Sequence, residues 1–108
     1  MALPQLIAEG LIADAAFVDG SHRFHEVFVD LCFLRKIVRP GGIIALDDHW
    51  WPSVRTAAHY FELNMGWRVV PGAFDGGTID PETGRTRVHA LRLPNPPFEP
   101  SFEYFQPF

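Results

Sequence analysis

The chain has 108 residues, of which 47% are hydrophobic and 20% charged, so it is long enough to bury a core of its own. Its formal net charge of −4, with Lys and Arg scattered along the sequence, argues against nucleic acid as the main partner. The single cysteine, Cys32, excludes an internal disulfide framework. With no apolar run long enough to span a bilayer and no basic leader, we expect a cytoplasmic protein without a membrane partner.

The first half of the chain alternates between helical and strand patterns. Apolar residues recur at helical spacing in 3–11, and residues 13–19 (ADAAFVD) are mostly apolar, as in a strand buried on both faces of a parallel sheet. Residues 22–38 carry an amphipathic helical stripe, which we expect Pro40, Gly41 and Gly42 to terminate. Residues 43–46 (IIAL) then read as a second buried strand, so the segment predicts a βαβ unit.

The second half adds one more helix and two strands. Ser53 is predicted to cap a helix that ends at Gly66. Residues 67–74 (WRVVPGAF) and 86–93 (TRVHALRL) read as an antiparallel pair at one sheet edge, joined by the turn-rich residues 75–85. This order predicts an α/β domain with a mostly parallel sheet, whose ligands lie beyond the carboxyl ends of the parallel strands.

Carboxylates follow both predicted parallel strands. Asp19 closes the first strand, and Asp47 and Asp48 close the second. Neighbouring strands lie about 4.8 Å apart, so these side chains would emerge together at one edge. Clustered carboxylates repel one another unless a cation lies between them, and Mg²⁺ prefers oxygen ligands. The alternative is that Asp19 belongs to an ordinary turn and that Asp48 caps the next helix.

Aromatic and imidazole side chains surround this predicted metal site. His22 lies three residues beyond Asp19, where it could act as a general base, or could simply be a polar residue of the first helical turn. We expect the substrate side to be lined by His49, Trp50 and Trp51, although such aromatic residues also pack against a following helix.

The segments AFVDGSH and DLCFLRKIVRPGGIIALDD, with the helix after them, resemble the second half of class I S-adenosylmethionine-dependent methyltransferases. The resemblance covers roughly residues 3–93. It is closest to the branch with a D-G-x-H motif and a strand ending in D-D, near the metal-dependent sugar O-methyltransferases. It implies a Rossmann-like fold, Mg²⁺ held by Asp19, Asp47 and Asp48, and His22 as the catalytic base.

The chain departs from that family in its cofactor half. The family binds S-adenosylmethionine with a glycine-rich loop, whereas this sequence contains no G-x-G and has too few residues before Asp19 for the first strands. We therefore expect residues 1–93 to be a half-domain that lacks the N-terminal cofactor-binding strands. Its strand edge from Ala15 to Asp19 would be bare and apolar, which predicts a homodimer or a separate partner chain.

Residues 94–108 form a separate arm rich in proline and aromatic residues, expected to pack on its own sheet or on a second subunit. Three functional hypotheses follow from the sequence. The first is an O-methyltransferase-like protein, acting on a small-molecule acceptor, that a partner or a longer chain completes. The second is a non-catalytic remnant of that fold that serves in oligomerisation or binding, and the third is a metal-dependent hydrolase.

Overall fold

A computed structural model describes residues 13–18, 22–71 and 88–108, which form a small α/β domain with a mixed four-stranded sheet and two helices. The elements in chain order are β1 (Ala13–Val18), α1 (Phe24–Ile37), β2 (Val38–Asp47), α2 (Pro52–Asn64), β3 (Arg68–Val69) and β4 (Val88–Arg92). The α/β class is confirmed. The helix predicted in residues 3–11 and the predicted metal ligand Asp19 lie outside the described residues. No helix in the described ranges is long and apolar enough to cross a membrane.

The sheet has the strand order β1-β2-β4-β3. β1 runs parallel to β2, whereas β4 is antiparallel to both β2 and β3. The predicted antiparallel pair is therefore confirmed, with β3 at the sheet edge. In the described part of the chain the sheet is mixed, not mostly parallel, because only one of its pairings is parallel.

The βαβ unit positions the candidate site. α1 connects β1 to β2, and the two strands pair in parallel, with Val18 opposite Leu46. Because parallel strands end at the same edge, the chain leaves β1 and β2 side by side. The residue after Leu46 is Asp47, so the carboxyl edge of this pair carries the second predicted motif.

Both helices pack on one face of the sheet. Ile44 and Leu46 of β2 and Leu91 of β4 are fully buried and belong to the core that the helices cover. The opposite face includes Phe17, whose side chain is 58% exposed. The prediction that β1 is buried on both faces is wrong. In the described part of the chain, only one face of β1 packs against the core that the helices cover.

The Pro-Gly-Gly segment lies inside β2 and does not terminate α1, contrary to the prediction. α1 ends at Ile37, where the Val38 amide donates to the Leu34 carbonyl and the strand begins at once. The register then shifts, because Ala13 pairs with Val38 but Ala15 pairs with Ile43. The extra residues of β2 form an irregularity in which Gly41 has a φ of +77°.

The start of α2 also differs from the prediction. Its N-cap residue is Trp51, which makes no side-chain cap hydrogen bond, and Pro52 occupies the first turn, where its missing N–H costs nothing. Ser53 does not cap the helix. Its hydroxyl instead donates to the backbone carbonyl of His22, so it links the start of α2 to the segment that precedes α1.

The C-terminal arm packs on the helices of its own chain. The buried Asn64 side chain accepts from the Gln106 amide at 2.8 Å and donates to the Gln106 carbonyl at 3.0 Å. Phe108 stacks against Phe24 and Phe28 of α1. The prediction placed the arm on the sheet or on a second subunit. Here the end of the arm lies on α1 and α2. The Asn64 side-chain amide of α2 hydrogen-bonds to the arm's backbone, and the aromatic rings of α1 stack on Phe108.

Gly42 approaches the backbone of β1 closely, which gives a test of the register. A Cβ at this position would lie 2.7 Å from the Asp14 carbonyl oxygen and 2.5 Å from a Val38 methyl group, whereas at Gly41 the nearest atoms are 3.6 Å away or more. Gly42→Asn is expected to lower the free energy of unfolding, measured by urea denaturation, by about 1–3 kcal/mol. Gly41→Asn is the matched control and should cost within about 0.5 kcal/mol, since Asn tolerates positive φ. An equal loss in the free energy of unfolding at the two positions would contradict the irregular pairing of β2 with β1.

Candidate functional site

A tight turn at the carboxyl end of β2 presents the predicted acidic residues. The Trp51 amide donates to the Asp48 carbonyl at 3.0 Å, and Asp48 has a φ of +54°, a left-handed conformation that Asp adopts more readily than most residues. Asp47 is buried, and its carboxylate accepts the Asp48 amide at 3.0 Å. The Asp47 side chain therefore helps to hold the turn that carries Asp48.

The Asp48 carboxylate contacts the predicted catalytic histidine. His22 Nε2 lies 2.9 Å from Asp48 Oδ2, although the two residues are 26 positions apart. The His22 side chain is 45% exposed, and its backbone carbonyl accepts from the Ser53 hydroxyl. The residue is thus held from both sides, by the turn after β2 through its ring and by α2 through its backbone, while its ring stays accessible to solvent.

Two indole rings extend this surface. The Trp51 ring stacks on the His22 imidazole with a centroid distance of 5.2 Å, and Trp50 stacks on Trp51 at 4.7 Å. The Trp51 side chain is 40% exposed, so its ring is only partly covered. The exposed part of an indole ring suits flat or apolar groups of a ligand, such as an aromatic ring or the C–H face of a sugar. Trp51 therefore forms a platform next to His22.

His49 has a different environment from the other predicted lining residues. Its ring stacks on His89 of β4 at 3.8 Å, and β4 flanks β2 on the side opposite β1. Its Nε2 atom is buried and has no hydrogen-bond partner in the described part of the chain. Burial, with the nearby His89 and Arg55, lowers the pKa of His49 to about 4. Burial also lowers the pKa of His89. Both rings are therefore neutral at pH 7.

Two of the three predicted metal ligands belong to the described residues. Asp47 and Asp48 are adjacent and carry the hard oxygen ligands that Mg²⁺ prefers, but Asp19 lies outside the described residues. Among residues 13–18, 22–71 and 88–108, no group of three or more His, Cys, Asp or Glu side chains is placed to hold a metal ion. One oxygen of Asp48 is already engaged by His22. The described residues do not make a metal site by themselves.

Comparison with known proteins adds no family assignment. No model of a known protein family matches the chain. A search of curated proteins finds no significant match either. The resemblance to methyltransferases therefore rests on the sequence motifs, and the methyltransferase assignment stays a prediction.

The structure groups the predicted site residues unevenly. His22, Asp48 and Trp51 contact one another, Trp50 extends that cluster, and His49 stacks on β4 instead. Two contributing residues were not predicted to belong to the site. His89 stacks on His49, and its place on the strand predicted to pair antiparallel is the one signal for it in the sequence, whereas Ser53, predicted as a helix cap, donates to the His22 carbonyl.

The lowered pKa of His49 predicts a loss of stability in acid. The ordinary value of 6.5 applies to the unfolded chain and about 4 to the folded one, so between these values the unfolded chain binds a proton that the folded chain does not. The free energy of unfolding should therefore fall as the pH drops from 6.5 to 4.

The variant His49→Phe, which keeps a ring against His89, should make this fall shallower in urea titrations at pH 7 and pH 4.5. His25→Gln, a change at a well-exposed histidine, should leave it unchanged. The same pH dependence in His49→Phe and in the unmodified chain would contradict the burial of a neutral His49.

Proposed function

We propose that this chain carries the acceptor side of an O-methyltransferase site, with His22 as the general base. The observation that supports this proposal best is the 2.9 Å contact between His22 Nε2 and Asp48 Oδ2 at the carboxyl edge of the parallel strand pair. Ligand sites of open α/β sheets lie at this edge. A positioned imidazole–carboxylate pair is also the arrangement that proton abstraction from a hydroxyl requires.

The Asp48 contact decides which nitrogen of His22 can act as the base. An ionised carboxylate only accepts hydrogen bonds, so the neutral ring facing it carries its proton on Nε2. The lone pair is then on Nδ1, which accepts the proton of the acceptor hydroxyl as the oxygen is alkylated. Asp48 holds the ring orientation and stabilises the imidazolium that forms.

The indole platform gives the acceptor a place to bind. An acceptor ring packed against the exposed part of the Trp51 ring would lie close to the His22 imidazole, because the Trp51 and His22 rings stack at 5.2 Å. Holding the hydroxyl in that geometry contributes to catalysis by proximity. The proposed acceptor is therefore a hydroxylated small molecule with an aromatic or sugar ring.

S-adenosylmethionine would supply the methyl group, and Asp19, Asp47 and Asp48 are the residues we propose to hold Mg²⁺. The described residues do not complete either binding site, and the sequence has no G-x-G loop for the methyl donor. The proposal therefore includes completion by a second copy of the chain or by another polypeptide. A Rossmann-like half-domain is the fold we propose for this arrangement.

A non-catalytic oligomerising or binding module is the second candidate. In the described residues β1 is an edge strand, and Phe17 on it is 58% exposed. Phe102 and Tyr104 of the arm are also exposed. Exposed apolar side chains on an edge strand favour pairing with another chain. We propose that a homodimer or a heteromeric complex forms through the strand edge from Ala15 to Asp19 and through the arm.

Transfer of labelled methyl groups tests the catalytic proposal directly. The purified chain, in its native oligomer and with Mg²⁺, is incubated with radiolabelled S-adenosylmethionine and a panel of catechols and glycosides. Label should appear in at least one acceptor, and His22→Gln should reduce the rate by about 10²–10⁴-fold. His25→Gln, three residues away and without contact to Asp48, is the control and should keep the full rate.

Two outcomes would contradict the proposal. Equal rates in His22→Gln and the unmodified chain would exclude His22 as the base. If the chain neither binds S-adenosylmethionine in calorimetry nor transfers label, methyl transfer by the chain alone or by its homo-oligomer is excluded, and the oligomerising module is favoured.

A further inference from the structure

Two adjoining cavities lie at the opposite end of the sheet from the candidate site. Their volumes are about 220 Å³ and about 700 Å³, and they share Trp67, Leu93 and parts of the segment after β4, including Pro94, Pro97 and Phe98. Both open near the start of β2, whereas Asp47 and the His22 cluster lie at its end. The β2 residues that line the cavities all precede Ile43, which lies four residues before Asp47. Four residues of a strand span about 13 Å, so at least this distance separates the cavities from the candidate site along β2. The two regions are therefore distinct.

The smaller cavity has an apolar floor that is already formed. Val38, Met65, Trp67 and Leu93 line it and are each at most 5% exposed. An apolar cavity of about 150 Å³ is large enough to bind benzene in another protein. A cavity of about 220 Å³ can therefore hold a single aromatic ring with a small substituent.

Two arginines that are direct cross-strand partners line the larger cavity. Arg68 of β3 pairs directly with Arg92 of β4, so both side chains emerge on the same face of neighbouring strands. Like charges directly opposite one another destabilise a sheet. The Arg92 guanidinium donates to the Gly41 carbonyl at 2.8 Å, and neither arginine has an ion-pair partner within the described residues. Glu62 also lines this cavity and forms no ion pair with either arginine.

Positive charge is concentrated at this end of an otherwise acidic chain. Five of the nine Lys and Arg residues line the two cavities, namely Arg35, Lys36, Arg39, Arg68 and Arg92. Arg35 pairs with Glu99 at 2.5 Å and Arg39 pairs with Asp14 at 2.7 Å, whereas the other three have no ion-pair partner in the described ranges.

The helix dipole of α1 explains the position of only some of these cations. Arg35 and Lys36 lie in the last turn of α1, where cations are favourable without any ligand. Arg68 and Arg92 lie on strands, so no helix end accounts for them.

We propose that the two cavities bind an amphiphilic organic anion, with an aromatic ring in the apolar cavity and a carboxylate or phosphate group held by Arg68 and Arg92. Guanidinium groups match the oxygen geometry of such anions and form charge-assisted hydrogen bonds with them. An anion there also removes the repulsion between the two arginines. The site is independent of the proposed methyl transfer and shares no residue with it.

Nuclear magnetic resonance of the isotope-labelled protein tests the site by following the N–H signals of the residues that line it. Phenyl phosphate and benzoate serve as complete probes, and inorganic phosphate and benzyl alcohol serve as their two halves. Phenyl phosphate or benzoate should shift the Trp67 indole N–H signal together with the Arg68 and Arg92 Nε–H signals. Each half probe should bind more weakly than the complete probe. Arg68→Gln and Arg92→Gln should each weaken binding of the complete probe about tenfold.

Arg55→Gln is the matched control, since Arg55 is an exposed arginine of α2 that lines neither cavity. It should leave the affinity unchanged. The proposal is overturned if neither complete probe shifts these signals at about 10 mM, a concentration that nearly saturates a site with a Kd of 1 mM. It is also overturned if Arg55→Gln weakens binding as much as Arg68→Gln, because the binding would then reflect general charge. Arg68→Gln keeps the test valid if Arg92→Gln disturbs the contact with Gly41.

Discussion

The parallel pairing of β1 with β2 is the constraint on which the rest of the structure depends. It places Val18 opposite Leu46, so the segments that follow the two strands begin at one edge of the sheet. From that edge the chain brings His22 to within 2.9 Å of the Asp48 carboxylate. A change of one residue in this register would turn the buried side chains of a strand to the other face and separate the two motifs.

The two ends of the sheet carry opposite chemistry. The carboxyl end of β2 presents Asp47, Asp48 and an imidazole that stacks on the partly exposed Trp51 ring. The other end presents Arg68 and Arg92, which have no ion-pair partner among the described residues, beside a preformed apolar cavity. With a net charge of −4, the chain does not attract anions as a whole, so any anion binding must come from this local concentration of cations. The two proposed ligand sites are thus distinct in both position and charge.

The sequence predicted the connectivity well because periodicity reports how an element packs. The helical spacing in residues 22–38 and the turn-rich segment before residue 86 led to the observed βαβ unit and antiparallel pair. Local signals with two meanings misled the prediction. A Pro-Gly-Gly segment suits a strand irregularity as well as a helix end, and Ser53 suits either a cap or a contact to a distant carbonyl. Tertiary neighbours decided between these alternatives.

The same limit applies to the candidate site. The motifs placed His22 and the acidic pair at one edge, but no local pattern indicates that Trp51 stacks on His22 while His49 stacks on His89. Those partners follow from the turn after β2, in which Asp48 has a φ of +54°. An apolar run likewise does not say which face of β1 the helices cover, and Phe17 is exposed on the other one.

The central claim is that His22 and Asp48 interact directly, and a double-mutant cycle measures that interaction. The free energy of unfolding is determined by urea denaturation for the unmodified chain, His22→Phe, Asp48→Gly and the double variant, because phenylalanine keeps a ring against Trp51 but cannot hydrogen-bond to Asp48. Glycine at position 48 keeps the left-handed backbone and removes only the carboxylate. A direct hydrogen bond predicts a coupling energy of about 0.5–1.5 kcal/mol. Additive effects, with no coupling within error, would contradict the contact on which the proposed site is built.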